Sequence, residues 1–415
     1  MPRALVVADD LTGATDTAHA FAKRGYRTNV QVAPEGAPPD STVLAVNTDS
    51  RYADPGTAAE RVRRTISRTD APVVYKKVDS TLRGNITIEV EAAMSGFDLA
   101  IFAPASPAVG RFTVCGTHLV DGRLLADTEY VDDPNGPTSA RLPALFEGSG
   151  RPVEHLGIGT VAAGPEAVRE ALGAVSPGAV VACDSTHERH LEAIARAGDE
   201  LDRAALFVGS SGLAEGVAVP GDSDGTAPRS TAIGDGGALG IVGSVSERSL
   251  DQLAALSEDW VIAISPETLL GDPERAGREA GRRATGRLAG GQHAVVTAAP
   301  DRETVERTLE LGRERGLVGE AVRKRVATAL ASAARAGIAD ASGLFVTGGD
   351  VAMAVFDALA VGSLSLSGEA VEAGIPVSRL DGGVADGLPV VTKAGGFGER
   401  ETAVNCLRYL GGDHE

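Results

Sequence analysis

Short apolar runs alternate with helix-period stretches along almost the whole chain, the pattern of strands separated by helices. The first run, residues 4–8, breaks off at two adjacent carboxylates, Asp9 and Asp10. Thr12 and Gly13 suit a tight turn there, and Ala14, Ala18 and Phe21 recur at helical spacing until Gly25 can end the helix. Residues 29–32 and 42–46 read as further strands. A helix begins at Pro55, with Asp54 as its N-cap and Val62 and Ile66 facing inward. Strands follow at 73–75, 99–103, 179–182 and 205–208, the last two flanking a helix that carries Leu191 and Ile194.

Residues 220–237, rich in Gly, Ser, Pro and Asp, read as a linker suited to a hinge. Beyond it the alternation restarts. A strand at 239–242 leads into a helix with Leu250, Leu253 and Leu256, then strands at 261–264 and 294–297. Helical sequence over 302–336 and strands at 344–347 and 389–393 complete the pattern. The expected fold class is α/β. Two tandem α/β domains, residues 1–219 and 238–415, carry mostly parallel sheets covered by helices on both faces.

Composition narrows the partners. Acidic groups outnumber basic ones 57 to 39 for a net charge of −18, so no basic field exists to hold nucleic acid. Cys115, Cys183 and Cys406 stand isolated, which suggests neither a disulfide framework nor a zinc site. The start lacks a signal peptide's pattern and no apolar run approaches a membrane span, so a cytoplasmic protein is expected.

Polar clusters recur where the N-terminal strands stop. They are Asp9-Asp10, the run from Asn47 to Arg51, the run from Lys76 to Asn85, and the run from Pro104 to Arg111. In an open α/β sheet these ends line one crevice. Carboxylates, cations and hydroxyls together suit a small polyhydroxy acid, with Arg or Lys on its carboxylate and Asp on its hydroxyls. Lys76 and Lys77 point to opposite faces, so at most one meets a ligand. The alternatives are that one of Asp9 and Asp10 caps the helix while the other is solvated, and that Lys76 and Arg83 form structural ion pairs with neighbouring Asp.

The C-terminal strand ends are glycine-rich instead: Gly240 to Glu247, Phe345 to Ala352, and Val391 to Gly398. Glycines allow positive φ and close backbone approach, expected here at Gly349, and a following helix offers N–H groups to an anion. No GxxxxGK[ST] and no GxGxxG occurs. His187 and His190 lack a third metal ligand, Ser210-Ser211-Gly212 is not a nucleophile elbow, and Trp260 reads as core.

The runs Ala8 to Ala14, Lys76 to Asn85 and Lys393 to Gly398 resemble motifs of the four-carbon acid sugar kinases, in order over nearly the whole chain. The resemblance implies an N-terminal sugar-binding domain, a C-terminal ATP-binding domain and phosphorylation of the 4-hydroxyl of D-threonate, D-erythronate or 3-oxo-tetronate. It implies a sugar-acid site at Asp9, Arg51, Lys77, Asp79 and Ser80, to which Asp10 and Arg83 are added as neighbours. The implied nucleotide site takes Ser244, Gly348, Gly349, Asp350 and Gly395, with Val351 and Gly396 beside them. Val351 and Ala394 stand where family members often carry Thr and Ser, which removes two hydroxyls near the phosphates. Mg²⁺ would neutralise those phosphates, with ligands not readable from the sequence, and Asp9 or Asp79 is the expected proton acceptor. Rival readings are a non-catalytic, nucleotide-gated sugar-acid sensor and a sugar-acid dehydrogenase or aldolase; the missing GxGxxG counts against the dehydrogenase.

Overall fold

The computed structural model describes residues 1–33, 38–225 and 236–412, in two units, Met1–Ala227 and Pro228–Glu415. Most of the expected linker, residues 226–235, lies outside the described residues. No helix among those described is long and apolar enough to cross a membrane.

The strands of the first unit are β1 (Ala4–Ala8), β2 (Thr28–Gln31), β3 (Val43–Asn47), β4 (Val73–Lys77), β5 (Leu99–Ala103), β6 (Arg111–Val114), β7 (Thr117–Val120), β8 (Arg123–Leu124), β9 (Val153–Leu156), β10 (Ala179–Cys183) and β11 (Ala205–Gly209). The sheet runs β2-β3-β1-β4-β11-β5-β10-β9 and every pair in it is parallel. β1, β5 and β10 are buried at every position, as strands covered on both faces must be. Register sets the site. Ala8 lies opposite both Asn47 and Lys77, and Gly209 opposite both Lys77 and Ala103, so these strands stop in one row. The chain leaves β1 toward β3 on one side and β4 on the other, the switch point where open α/β sheets bind ligands.

The second unit has β12 (Leu239–Val242), β13 (Val261–Ala263), β14 (Ala294–Thr297), β15 (Leu344–Thr347), β16 (Ser363–Glu372), β17 (Ile375–Asp381) and β18 (Pro389–Lys393). Its order is β13-β14-β12-β15-β18-β17-β16, parallel up to β18 and antiparallel beyond. Val242, Thr347 and Lys393 again share one row.

The α/β class and the parallel sheets match expectation; several details differ. Thr12 and Gly13 are not a turn: the helix Leu11–Ala22 already starts at Leu11, because the Asp10 carboxylate caps it by accepting from Gly13 N at 2.9 Å. The helical stretch over 302–336 is two helices, Arg302–Glu314 and Gly319–Gly337, parted where Gly316 takes φ +70°. The antiparallel strands β6–β8 and β16–β17 had no counterpart in the sequence reading. β6–β8 are short, β16 is rich in Ser, and β17 is broken by Pro376, Ser378 and Arg379, so none carries a continuous apolar run.

The core of the first unit joins the β5 and β10 side chains to the segment around Phe146, whose ring meets Phe102 edge-on at 5.1 Å. Both rings are buried. Phe102→Ala is expected to destabilise this unit by about 3–5 kcal/mol. A urea titration followed by circular dichroism should show the midpoint fall with an unchanged slope.

Candidate active site

Asp9 directly follows β1 and is buried. Its carbonyl accepts from Ser50 N at 2.9 Å and Arg51 N at 3.2 Å, which folds the loop after β3 back over the end of β1. That return places the Arg51 guanidinium against two carboxylates. Nε donates to Asp9 Oδ2 at 2.7 Å, Nη2 to Asp9 Oδ1 at 3.1 Å and Nη1 to Asp10 Oδ2 at 2.8 Å. Asp79 Oδ1 lies 3.9 Å from Nη2. Asp79 is held from its other side by Arg83, Nε to Oδ2 at 2.7 Å and Nη2 to Oδ1 at 3.3 Å. Burial pushes both carboxyls up, but the guanidinium charges overcome it. Asp9 ends below the usual carboxylate range, and Asp79, facing Arg83 and Arg51, well below. Arg83 also touches the segment around residue 130, through Asp133 at 3.5 Å and the Tyr130 ring at 5.3 Å.

The two lysines at the end of β4 have opposite fates. Lys76 is fully buried, ion-paired to Glu89 Oε2 at 2.8 Å and donating to Val7 O and Lys77 O. Glu89 also accepts from Ser50 Oγ at 2.5 Å. Lys77 is only 4% exposed, yet its ammonium has no hydrogen bond or ion pair among the described residues. A Cβ on Gly13 would sit 2.8 Å from that ammonium and 2.5 Å from Asp10 Oδ1, so the glycine lets the helix start approach the cation. The Ser80 hydroxyl, also buried, likewise has no protein partner there.

In the second unit Gly348 takes φ +98° between β15 and the helix Gly349–Leu359. A Cβ on it would lie 3.1 Å from Ser244 N. The first-turn N–H groups of Gly349, Asp350 and Val351 have no intrahelical acceptors, and the space beside Gly349 is open. Asp350 is exposed and its carboxylate has no hydrogen bond or ion pair among the described residues. The turn after β18 has its carbonyls tied down from below. Ser246 Oγ and Ser249 Oγ donate to Gly395 O at 2.9 and 3.2 Å, Lys393 Nζ to Ala394 O and Phe397 O at 3.0 and 3.2 Å. Gln252 Nε2 donates to Phe397 O and Glu399 O at 3.1 and 2.8 Å, and Arg248 Nη1 to Gly398 O at 3.0 Å. Burial lowers Lys393 to about 8. A Cβ on Gly395 would collide with the Ser244 hydroxyl, so only glycine lets the two turns meet.

One half of the chain thus holds charged side chains at strand ends, the other backbone donors. Comparison with known proteins gives both halves a context. The family of sugar-binding N-terminal domains matches residues 4–217, and that of nucleotide-binding C-terminal domains matches residues 239–403. D-threonate kinases of Salmonella typhimurium and Cupriavidus necator are 34% and 36% identical, over 98% and 95% of this chain and 98% and 94% of theirs. The chain belongs to the four-carbon acid sugar kinase family. A D-erythronate kinase of Heliobacterium modesticaldum is 30% identical over 99% of this chain and 97% of its own. A crystal structure from Salmonella typhimurium LT2 shares the fold at TM-score 0.81 and 21% identity, covering 98% of this chain and 99% of that one.

Against the expectations for a four-carbon acid sugar kinase, the structure brings Asp9, Asp10, Arg51, Asp79 and Arg83 into one ion-paired cluster, with Lys77 and Ser80 on the same row of strand ends. The cap alternative holds for Asp10, whereas Asp9 is not solvated. Both proposed structural ion pairs exist, although Lys76 finds Glu89 and not an aspartate. Gly349 does not take positive φ; Gly348 does, because it is the N-cap at which the chain turns into the helix. Val351 turns its side chain inward against Gly243, so only its N–H faces the open space. Sequence reasoning passed over Asp16. Asp10, Gly13, Asp16 and His19 form one helical stripe, and Asp16 and His19 are the two residues of that helix only partly buried. Burial of its carboxyl raises Asp16, against the opposing pull of the Ser211 hydroxyl and Lys77.

Arg51→Met strands buried carboxylates and is expected to destabilise the first unit by about 3–5 kcal/mol. Because the folded-state values of Asp9 and Asp79 are depressed, their stabilisation is present above the ordinary carboxylate range and lost as pH falls through the folded values. Acid titration by circular dichroism should therefore show the variant unfolding at higher pH than the parent. In a thermal melt Gly348→Val should lower Tm, while Gly349→Ala should leave it near the parent value.

Proposed function

We propose that this chain transfers the γ-phosphoryl group of ATP, with Mg²⁺, to the 4-hydroxyl of a four-carbon sugar acid, with D-threonate as the first candidate. D-threonate leads because kinases of that name share 34% and 36% identity with nearly the entire chain. The observation that carries the reading is the Lys77 ammonium: its side chain is packed away, it makes no hydrogen bond or ion pair among the described residues, and a substrate carboxylate would satisfy it. Arg51 and Arg83, by contrast, are saturated by protein carboxylates, so their part is to hold Asp9, Asp10 and Asp79 ionised and oriented. Asp9 and Asp79 keep acceptor capacity for the substrate hydroxyls, whereas the Asp10 oxygens are taken by Thr12, Gly13 and Arg51, and Ser80 offers a further hydroxyl.

Residues 1–219 would hold the acid and residues 238–415 the nucleotide. On the nucleotide side the N–H groups of Gly349, Asp350 and Val351 and those of Gly395 and Gly396 suit phosphate oxygens, with the Ser244 hydroxyl beside them. The free Asp350 carboxylate fits a magnesium ion shared with those phosphates, as such ions are held by one or two carboxylates plus the nucleotide. When bound, the ion would neutralise charge developing on the transferred group. Asp9 and Asp79, with depressed pKa values, accept a hydrogen bond from the attacking hydroxyl without taking its proton early. A loose phosphoryl-transfer transition state asks for no more than that.

An ADP-release assay across D-threonate, D-erythronate, 3-oxo-tetronate and five-carbon analogues tests the reading. Turnover only with four-carbon acids is expected, and no ADP with any of them would end it. By calorimetry Lys77→Met should weaken acid binding by about 2–4 kcal/mol with ATP binding unchanged. Equal losses for both ligands would remove Lys77 from the acid site.

A further inference from the structure

The segment Asp79–Gly84, at the end of β4, is conformationally demanding. Leu82 takes φ +60° and Gly84 φ +95°, and Leu82, unlike glycine, meets a Cβ penalty there. Such a conformation persists only where the surroundings over-determine it. Leu82 N donates to Asp79 O at 2.9 Å, and Gly84 N to Asn135 O at 2.8 Å. Thr81 and Arg83 also bind the Asp79 carboxylate, and a further anchor comes from a hairpin some thirty residues on. His118, on β7 and fully buried, places Nε2 2.8 Å from Ser80 O and Nδ1 2.9 Å from Thr113 Oγ1.

The partners dictate the tautomer. A carbonyl only accepts, so Nε2 carries the proton and donates to Ser80, while Nδ1 accepts from the Thr113 hydroxyl. Burial pushes the imidazole down to about 4, which keeps it neutral at physiological pH despite the Ser80 carbonyl and Asp79 nearby. The hairpin is itself fixed to the sheet. Asp184, at the end of β10, accepts from Cys115 N and Gly116 N at 2.8 Å and from Ile158 N at 3.0 Å. Thr113 and Ser185 exchange two backbone bonds of 2.8 Å. A chain of buried bonds therefore runs from the sheet through the hairpin to the Ser80 carbonyl.

We propose that His118 is a positioning residue for the sugar-acid site, setting the Ser80 backbone and hence where Lys77, Asp79 and Ser80 present their groups. This inference rests on the sugar-acid reading above for its effect on binding, though its effect on the loop needs no substrate. Gln and Asn separate the role from bulk packing: a Gln amide nitrogen reaches the place of Nε2, whereas an Asn side chain ends at the place of Nδ1.

Hydrogen exchange followed by mass spectrometry on the ligand-free protein should show faster exchange at residues 80–84 in His118→Phe and His118→Asn. Residues 111–120 should stay protected, and His118→Gln should behave as the parent does. Thr113→Val, which frees the ring without replacing it, should give a smaller acceleration at the same amides. In turnover assays, His118→Phe should raise KM for the four-carbon acid on the order of tenfold, with KM for ATP nearly unchanged. His118→Gln should restore most of the loss. Exchange at 80–84 that stays at the parent level in all variants would overturn the proposal, as would Gln doing no better than Asn. Absence of turnover in the parent protein would instead overturn the sugar-acid reading and leave the exchange result to decide the loop.

Discussion

Arg51 is the charge on which the N-terminal strand ends depend. Three carboxylates converge within about 4 Å of one guanidinium, a cluster that would repel itself without the central cation. The arrangement exists because Asp9 follows β1, Arg51 follows β3 and Asp79 follows β4, and the parallel register stops these strands in one row. Charge and topology reinforce each other. The fold brings like charges together, and one arginine makes their company favourable. Arg83 completes the balance from the far side of Asp79, while Lys77 beside them makes no hydrogen bond or ion pair among the described residues.

On the proposed reading the two units would hold an anion by different means. The first preorganises side chains and leaves one ammonium open. The second preorganises backbone: its serines, Gln252, Arg248 and Lys393 bind the carbonyls of the turn after β18 and so orient that turn's N–H groups. Side-chain charge suits recognition of a small acid with hydroxyls, where each contact must be placed individually. Backbone donors suit phosphate, which every nucleotide triphosphate carries in the same form.

Much of this was legible in the sequence, and the failures have physical causes. Buried parallel strands leave continuous apolar runs, and the abrupt stop at Asp9-Asp10 marked the site because carboxylates are rare at the end of a core strand. The partner of Arg51 was not legible. It lies more than forty residues away in sequence and is selected by register alone. Alternation announced that Lys76 and Lys77 face opposite ways, but which one meets Glu89 depends on how the helix Ile86–Ala93 packs. The hairpin that carries His118 escaped notice because its strands alternate over too few residues to stand out from loop. At Gly348-Gly349 composition flagged the pair, while the assignment of the positive φ followed from where the helix begins.

The paired lysines of β4 also act as a registration mark. Side chains in a strand alternate with period two, so sliding β4 by one position would exchange every residue between faces. Val73 and Val74 would tolerate such an exchange, being apolar, although Tyr75 would lose its hydroxyl's bond to Ser210 O. Lys76 would not. A shift that put Tyr75 in its place would leave the Glu89 carboxylate buried without its cation. The dipeptide that leaves one ammonium for a ligand therefore spends the other on fixing the strand's alignment. A sequence that read Leu-Lys there would keep the site chemistry and lose the mark.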